Sequence, residues 1–249
     1  MKCIILAAGY ATRLYPLTEN YPKPLLPVGE KTIMDWLVDD LRPVIDDFFV
    51  VTNHRFAPMF VEWAEKKKGT EENKDIRITV LNDGTSTNET RLGAVRDIQF
   101  AANILTSMED CVVMAGDNVL DFSLKGFINY ARVCGTSCVM YHEENRLSAL
   151  QKTAVITITE DGLITSYEEK PKNPKGNLAV PPFYYFRASD ICRIQEALDD
   201  GCDKDAPGSF AAWLSSRLPM HAYRMQGKRY DIGDIESYEA VRQGIDQAR

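Results

Sequence analysis

Four short stretches of this 249-residue chain carry side chains suited to handling anions. The first is LAAGYATR, Leu6 to Arg13, where an apolar run passes through two alanines and a glycine to an arginine. Small residues at a strand end let a ligand come close to the main chain, and Gly9 tolerates backbone angles that other residues avoid. Successive N–H groups in such a turn form a concave anion site, onto which Arg13 can fork. The turn is neither a Walker loop nor GxGxxG, and taken alone it also reads as an ordinary strand-to-helix turn. The second stretch is PKP at 22–24. Proline on both sides holds the backbone extended and fixes where Lys23 points. The bland alternative is a proline-rich turn with a solvated lysine. The third and fourth, AGDN and YDIGD, place Asp117 and Asp231 after strand-like runs far apart in sequence. Two such carboxylates suit a Mg²⁺ that phosphates also hold. Singly, each is an ordinary cap or turn residue.

The elements that must position these residues follow from hydrophobic periodicity. Continuous apolar runs at 2–8, 47–53, 77–83, 111–117 and 137–143 read as buried strands. Helical spacing covers 32–41, 56–67 and 92–105, with the run Lys66-Lys67-Lys68 expected as a solvated helix end. This β-α-β-α order predicts a parallel sheet with helices on both faces and ligands beyond the strands' carboxyl ends. The 9–13 loop and Asp117 both fall on that edge. After residue 150 the pattern alternates: 153–170 contains Asp161-Gly162, a hairpin signal, and 179–186 reads as one further strand. Helices are expected over 188–199, 209–217 and 235–247. The expected fold is α/β, a mostly parallel sheet flanked by helices with a smaller antiparallel lid lobe. It is read as a single domain over 1–249 with two lobes, 1–150 and 151–249.

Composition limits the function. Lys and Arg number 29 against 36 Asp and Glu, a net charge of −7, so the chain is a poor general nucleic-acid binder and any phosphate site must concentrate its cations locally. No apolar run is long enough for a membrane span, and a cytoplasmic protein is expected. The six cysteines form no CxxC pair and read as buried reduced thiols; His54, His142 and His221 are scattered and read as structural.

Taken jointly, LAAGYATRLYPLT, YPKPLLPVG, AGDN, EEKP (168–171) and YDIGDIESY (230–238) resemble the sugar-1-phosphate nucleotidylyltransferases, of the glucose-1-phosphate thymidylyltransferase type. The blocks match in order and spacing from Met1 to about Tyr238. The resemblance implies a Rossmann-like mixed, mostly parallel sheet, a nucleotide-binding lobe (1–150), a sugar-phosphate-binding and lid lobe (151–249), and a Mg²⁺-dependent transfer of a nucleotidyl group from a nucleoside triphosphate to a sugar 1-phosphate, giving an NDP-sugar and releasing pyrophosphate. By that resemblance, Leu6, Ala7, Ala8 and Gly9 wall the nucleoside, and Gly9, Tyr10, Ala11 and Thr12 cradle the triphosphate. Arg13 holds the β- and γ-phosphates, and Lys23 neutralises charge between the attacking phosphate and the α-phosphate. Asp117 and Asp231 hold Mg²⁺. Glu169 binds sugar hydroxyls, Lys170 the sugar phosphate, and Gly93 lets base or sugar approach its helix. No nucleic-acid or membrane partner is implied; association into a homo-oligomer is open.

Several positions depart from the family pattern. Ala11 stands where a second glycine is usual, which matters only if that position needs positive φ. Asp234 replaces a threonine and is expected to cap the helix at 235–247. The Gln-Pro-rich segment of thymidylyl enzymes gives way to NDGTSTNETRLGAV (82–95), where Asn88, Glu89 or Thr90 could meet the base. Pro181-Pro182 and Gln151–Ala154 replace residues expected near the sugar. The acceptor could therefore be another phosphate, such as phosphocholine. A non-catalytic, regulatory nucleotide-binding homologue is the third reading.

Overall fold

The computed structural model describes residues 1–105 and 109–247. The chain divides into two compact units, each assembled from separated segments. One gathers Ile5–Arg91, Ala115–Lys125 and Gln226–Arg249; the other gathers Met1–Ile4, Leu92–Met114 and Gly126–Met225. The first strand, Lys2–Leu6, contributes residues to both.

In the unit containing the glycine turn, the strand Asp47–Thr52 is buried at every position and pairs in parallel with Arg77–Asn82. Its Val51 carbonyl also accepts the Ala7 N–H at 2.8 Å. Helix Ile33–Leu41 opens with a capping box: the Asp35 N–H donates to Thr32 Oγ1, and the Thr32 N–H donates back to the Asp35 carboxylate. Helix Ala57–Lys68 buries Phe60, Trp63 and Ala64. Its terminal lysines differ from one another. Lys66 and Lys68 pair with Glu62 and Glu65 near the surface, but Lys67 is 10% exposed and bridges Asp35 and Asp39 at 3.0 and 2.6 Å. Helical spacing explains this, because 60, 63 and 67 lie on one face. A two-stranded ladder joins Asn118–Leu120 to Arg229–Asp231 in antiparallel register, with Asp231 opposite Asn118. Leu14, Val28, Ile33, Val119, Ile232 and Tyr238 share the apolar cluster beside it.

The other unit carries a mixed sheet. Its strands run in the order Ile164–Glu169, Ala154–Ile158, Leu178–Val180, Ser137–Glu143, Phe183–Phe186, Cys111–Ala115, with Met220–Arg224 parallel to Ser137–Glu143. The expected hairpin is present: Glu169 lies opposite Ala154, and Gly162 takes φ +87° in the turn. The run 179–186 forms two strands rather than one. Pro181 and Pro182 have no N–H to give a ladder, so pairing breaks there. Leu178–Val180 and Phe183–Phe186 instead lie antiparallel along opposite ends of Ser137–Glu143. The region 188–199 is likewise split, into Ala188–Ile191 and Ile194–Asp199. Helices Ala94–Ile104, Lys125–Cys134 and Pro207–Ser215 also belong to this unit.

All six cysteines are free. Cys3, Cys111 and Cys138 are buried as expected, and burial pushes the thiols of Cys111 and Cys138 up to about 12. Cys192 is exposed and Cys134 and Cys202 are half-buried, so the expectation of buried thiols fails for these three. Among the described residues no helix is long and apolar enough to cross a membrane.

Candidate active site

The strand Lys2–Leu6 ends at a cavity of about 160 Å³. Leu6, Ala7, Gly9, Ala11 and Arg13 line it together with Lys23 and Asp117. The turn, the proline-flanked lysine and the AGDN carboxylate, which lies 94 residues beyond that lysine, are thus brought to one place. The position a Cβ would occupy on Gly9 has nothing within 4 Å, so its bare backbone faces open space. Arg13 is exposed and makes no ion pair among the described residues, leaving its guanidinium available to an anion. Ala8 is buried, its carbonyl held by Asn53 Nδ2 at 3.0 Å. The Tyr10 side chain turns into the core against Phe56, with ring centroids 6.2 Å apart. Only its main chain can therefore belong to a cradle. Thr12 opens a short 3₁₀ turn, Thr12–Leu14.

Ala11 sits in the left-handed region, φ 46° and ψ 42°. Its carbonyl accepts the Thr18 hydroxyl at 2.8 Å and the Leu14 N–H at 2.9 Å. This position does need positive φ, and alanine there carries the steric cost that glycine avoids. Ala11→Gly is expected to raise stability by about 0.5–1 kcal/mol, the strain relieved exceeding the added unfolded-state entropy. Denaturant unfolding reads this as a higher midpoint at unchanged slope; a lower midpoint would show that the left-handed turn costs alanine nothing.

Lys23 lies at the start of a 3₁₀ turn between Pro22 and Pro24, its side chain only 8% exposed. Its ammonium donates to Asp117 Oδ2 at 2.8 Å. The other Asp117 oxygen accepts from Asn118 Nδ2 at 2.9 Å. Asn118 in turn accepts from Arg229 Nη1 at 2.7 Å, and Arg229 reaches Asp231 at 3.5 Å. Two hydrogen bonds and an ion pair therefore link the two aspartates through Asn118 and Arg229. Sequence reasoning passed over both residues, although Asn118 adjoins Asp117 in AGDN. The Asp231 carboxylate is exposed. Among the described residues no group of three His, Cys, Asp or Glu side chains could hold a metal by itself. Asp234 caps helix Ile235–Gln247, as expected: its carboxylate accepts the Ser237 N–H at 2.8 Å, and the Ser237 hydroxyl and N–H hold it below the usual carboxylate range.

In the other unit, Glu169 ends the hairpin and Lys170 follows it at φ 47°, a left-handed non-glycine. Such outliers concentrate at ligand sites. The Lys170 N–H is tied to the Thr153 carbonyl at 3.2 Å, so Gln151–Ala154 supports the turn it borders. The Lys170 side chain is exposed and makes no ion pair among the described residues. Glu169 is half-buried with no hydrogen bond or ion pair among the described residues; burial raises its carboxyl, Lys170 lowers it and Asp203 raises it. Gly93 takes φ +96°, and a Cβ there would lie 2.6 Å from the Lys204 carbonyl. That carbonyl accepts the Val95 N–H at 2.9 Å. Close packing within the chain thus already requires this glycine. In the 82–95 segment, Asn88, Glu89 and Thr90 are all exposed, with Asn88 held by Arg91 at 3.0 Å. His54 and His221 make structural hydrogen bonds to Asn82 and Thr136.

A strand-end turn, a lysine mounted between prolines and the Asp117 carboxylate it donates to thus line one cavity of an α/β protein. The chain belongs to the nucleotidyl transferase family, whose model matches residues 2–248. It is 26% identical over 245 residues to a glucose-1-phosphate adenylyltransferase of Fervidobacterium nodosum, covering 94% of this chain and 59% of that protein. It therefore spans about three-fifths of the length of that relative. It is 24% identical to the UTP–glucose-1-phosphate uridylyltransferase AglF of Haloferax volcanii, covering 99% of this chain and 97% of the other. Among solved structures, a UDP-glucose pyrophosphorylase complexed with UDP-glucose shares the fold at TM-score 0.82, 23% identity, and coverage of 100% and 99%. A putative glucose-1-phosphate thymidylyltransferase from Bacillus anthracis does so at 0.81 and 22%, covering 98% and 94%.

Proposed function

We propose that this protein transfers a nucleotidyl group from a nucleoside triphosphate to a sugar 1-phosphate, giving an NDP-sugar and pyrophosphate. The observation that carries this reading is the convergence of the Gly9–Arg13 turn, Lys23 and Asp117 on one cavity. An oxygen of the acceptor phosphate bonds to the α-phosphorus, and the bond from that phosphorus to the oxygen bridging to the β-phosphate breaks. Pyrophosphate leaves with the bonding pair. A phosphate oxygen is already a nucleophile, so no activated serine or cysteine is required. What the protein must supply is alignment of mutually repelling anions and neutralisation of their charge.

Arg13 and the turn's N–H groups bind the departing β- and γ-phosphates. Lys23, mounted between prolines, supplies positive charge at the α-phosphate. Glu169 accepts hydrogen bonds from acceptor hydroxyls, which would supply the partners its carboxylate lacks, and Lys170 binds the acceptor phosphate. Asp117 and Asp231 present hard oxygen donors on residues joined through the Asn118–Asp231 ladder, a donor set that fits Mg²⁺ whose remaining ligands are phosphate oxygens and water. Bound there, Mg²⁺ would supply charge neutralisation at the phosphates. A cytoplasmic location belongs to the same reading, supported by six cysteines that remain free thiols.

The test is pyrophosphate release with Mg²⁺ over a grid of nucleoside triphosphates and acceptors, including hexose 1-phosphates, amino-sugar 1-phosphates and phosphocholine. Rapid release with one sugar 1-phosphate is expected and names both substrates. Release with phosphocholine alone moves the acceptor to a phosphorylated alcohol. Nucleotide binding without release from any pair makes the chain a regulatory homologue.

A further inference from the structure

The Glu169 carboxylate rests against the first turn of helix Pro207–Ser215. A Cβ built on Gly208 would overlap Glu169 Oε2 outright and lie 3.0 Å from the buried hydroxyl of Tyr167. The glycine is not there for its backbone, because its φ lies outside the left-handed region. Glycine in a helix weakens it relative to alanine, so the position carries a cost with no local conformational return. The helix opens on Ala206, which offers no side-chain cap. The space that Gly208 leaves empty is filled by a carboxylate from another element.

We propose that Gly208 is a positioning residue for acceptor binding: by lacking a side chain it lets the Glu169 carboxylate seat against the helix, where it meets acceptor hydroxyls. This rests on the reading that Glu169 contacts the acceptor. Any side chain at 208 displaces Oε2 from that seat. Gly208 itself touches no substrate; it acts through Glu169, with Tyr167 closing the other side of the space.

The experiment is a double-mutant cycle on pyrophosphate release in the full chain, using Gly208→Ala, Glu169→Asp and the pair. Gly208→Ala is expected to raise KM for the sugar phosphate about tenfold or more, since small misplacements of a contacting group are costly, with KM for the nucleoside triphosphate unchanged. Glu169→Asp withdraws the carboxylate by one methylene, so adding Gly208→Ala to it should produce no further rise: the effects are non-additive. Effects that multiply, or a rise in both KM values, overturn the proposal. Should Gly208→Ala fail to fold, a folded double mutant supports it by relieving the overlap; failure of both places the obstruction in helix packing and overturns it. Glu169→Ala separates the two readings. If it leaves the acceptor KM unchanged, Glu169 does not meet the acceptor and the contact on which the proposal rests fails, while nucleotidyl transfer, read by the same pyrophosphate release, stands; if it raises that KM while Gly208→Ala does not, only the positioning role fails.

Discussion

Replacing Lys23 by alanine is expected to lower kcat by about 10²–10³-fold while leaving KM for both substrates within a small factor of wild type. The magnitude is that of removing one preorganised charge aimed at a transition state. The reasoning starts from the mounting. Pro22 and Pro24 flank the residue, its side chain is 8% exposed, and its ammonium is already held at 2.8 Å by Asp117. The charge is therefore in place before any phosphate arrives and needs no reorganisation when negative charge builds at the α-phosphate. An interaction stronger in the transition state than in the ground state acts on kcat. Single-turnover pyrophosphate release at saturating substrates measures this. A variant that changes only KM would make Lys23 a binding residue and leave the rate acceleration to Arg13 and the backbone turn. Lys23→Met is the companion variant: it keeps the buried stem, so a matching loss assigns the effect to the charge rather than to packing.

Asp117→Ala and Asp231→Ala are each expected to abolish Mg²⁺-dependent turnover, and they should differ in stability. Asp231 is exposed, so its removal should shift unfolding by no more than about 0.5 kcal/mol. Asp117→Ala strands the buried Lys23 ammonium and should cost about 1 kcal/mol, between the values of exposed and buried pairs. Turnover against Mg²⁺ concentration, with thermal unfolding of each variant, checks both. Near-normal turnover in either variant would remove that carboxylate from the metal site. Recovery of activity at high Mg²⁺ by Asp231→Asn but not by Asp117→Asn would mark Asp117 as the stronger ligand.

The groups that meet at the cavity where the first strand ends were legible in the sequence because their signals are local. A turn of small residues, a lysine between prolines and an aspartate at a strand end each restrict backbone or charge within a few positions, and the β-α alternation places them on one edge. The Asp234 cap was readable for the same reason, being a hydrogen bond spanning three residues. Strand 137–143 could be bounded from its apolar run alone.

Other features were decided only by tertiary structure. Ala11 reads in sequence as a harmless replacement for glycine; the cost appears only with its φ of 46°. The proline pair at 181–182 signals a break, but not that the two resulting strands would line up along Ser137–Glu143, because pairing partners are chosen by distant residues. Lys67 looks like one of three solvated lysines until the two helices bring it to Asp35 and Asp39. Gly208 carries no local signal at all; its role exists only because a hairpin some forty residues earlier delivers a carboxylate to it. The sequence alone therefore determined which groups could do the chemistry, since residue type and short-range backbone restriction are written locally. Tertiary structure decided which of those groups meet and which neighbours hold them, since burial and close contact depend on segments that are remote along the chain.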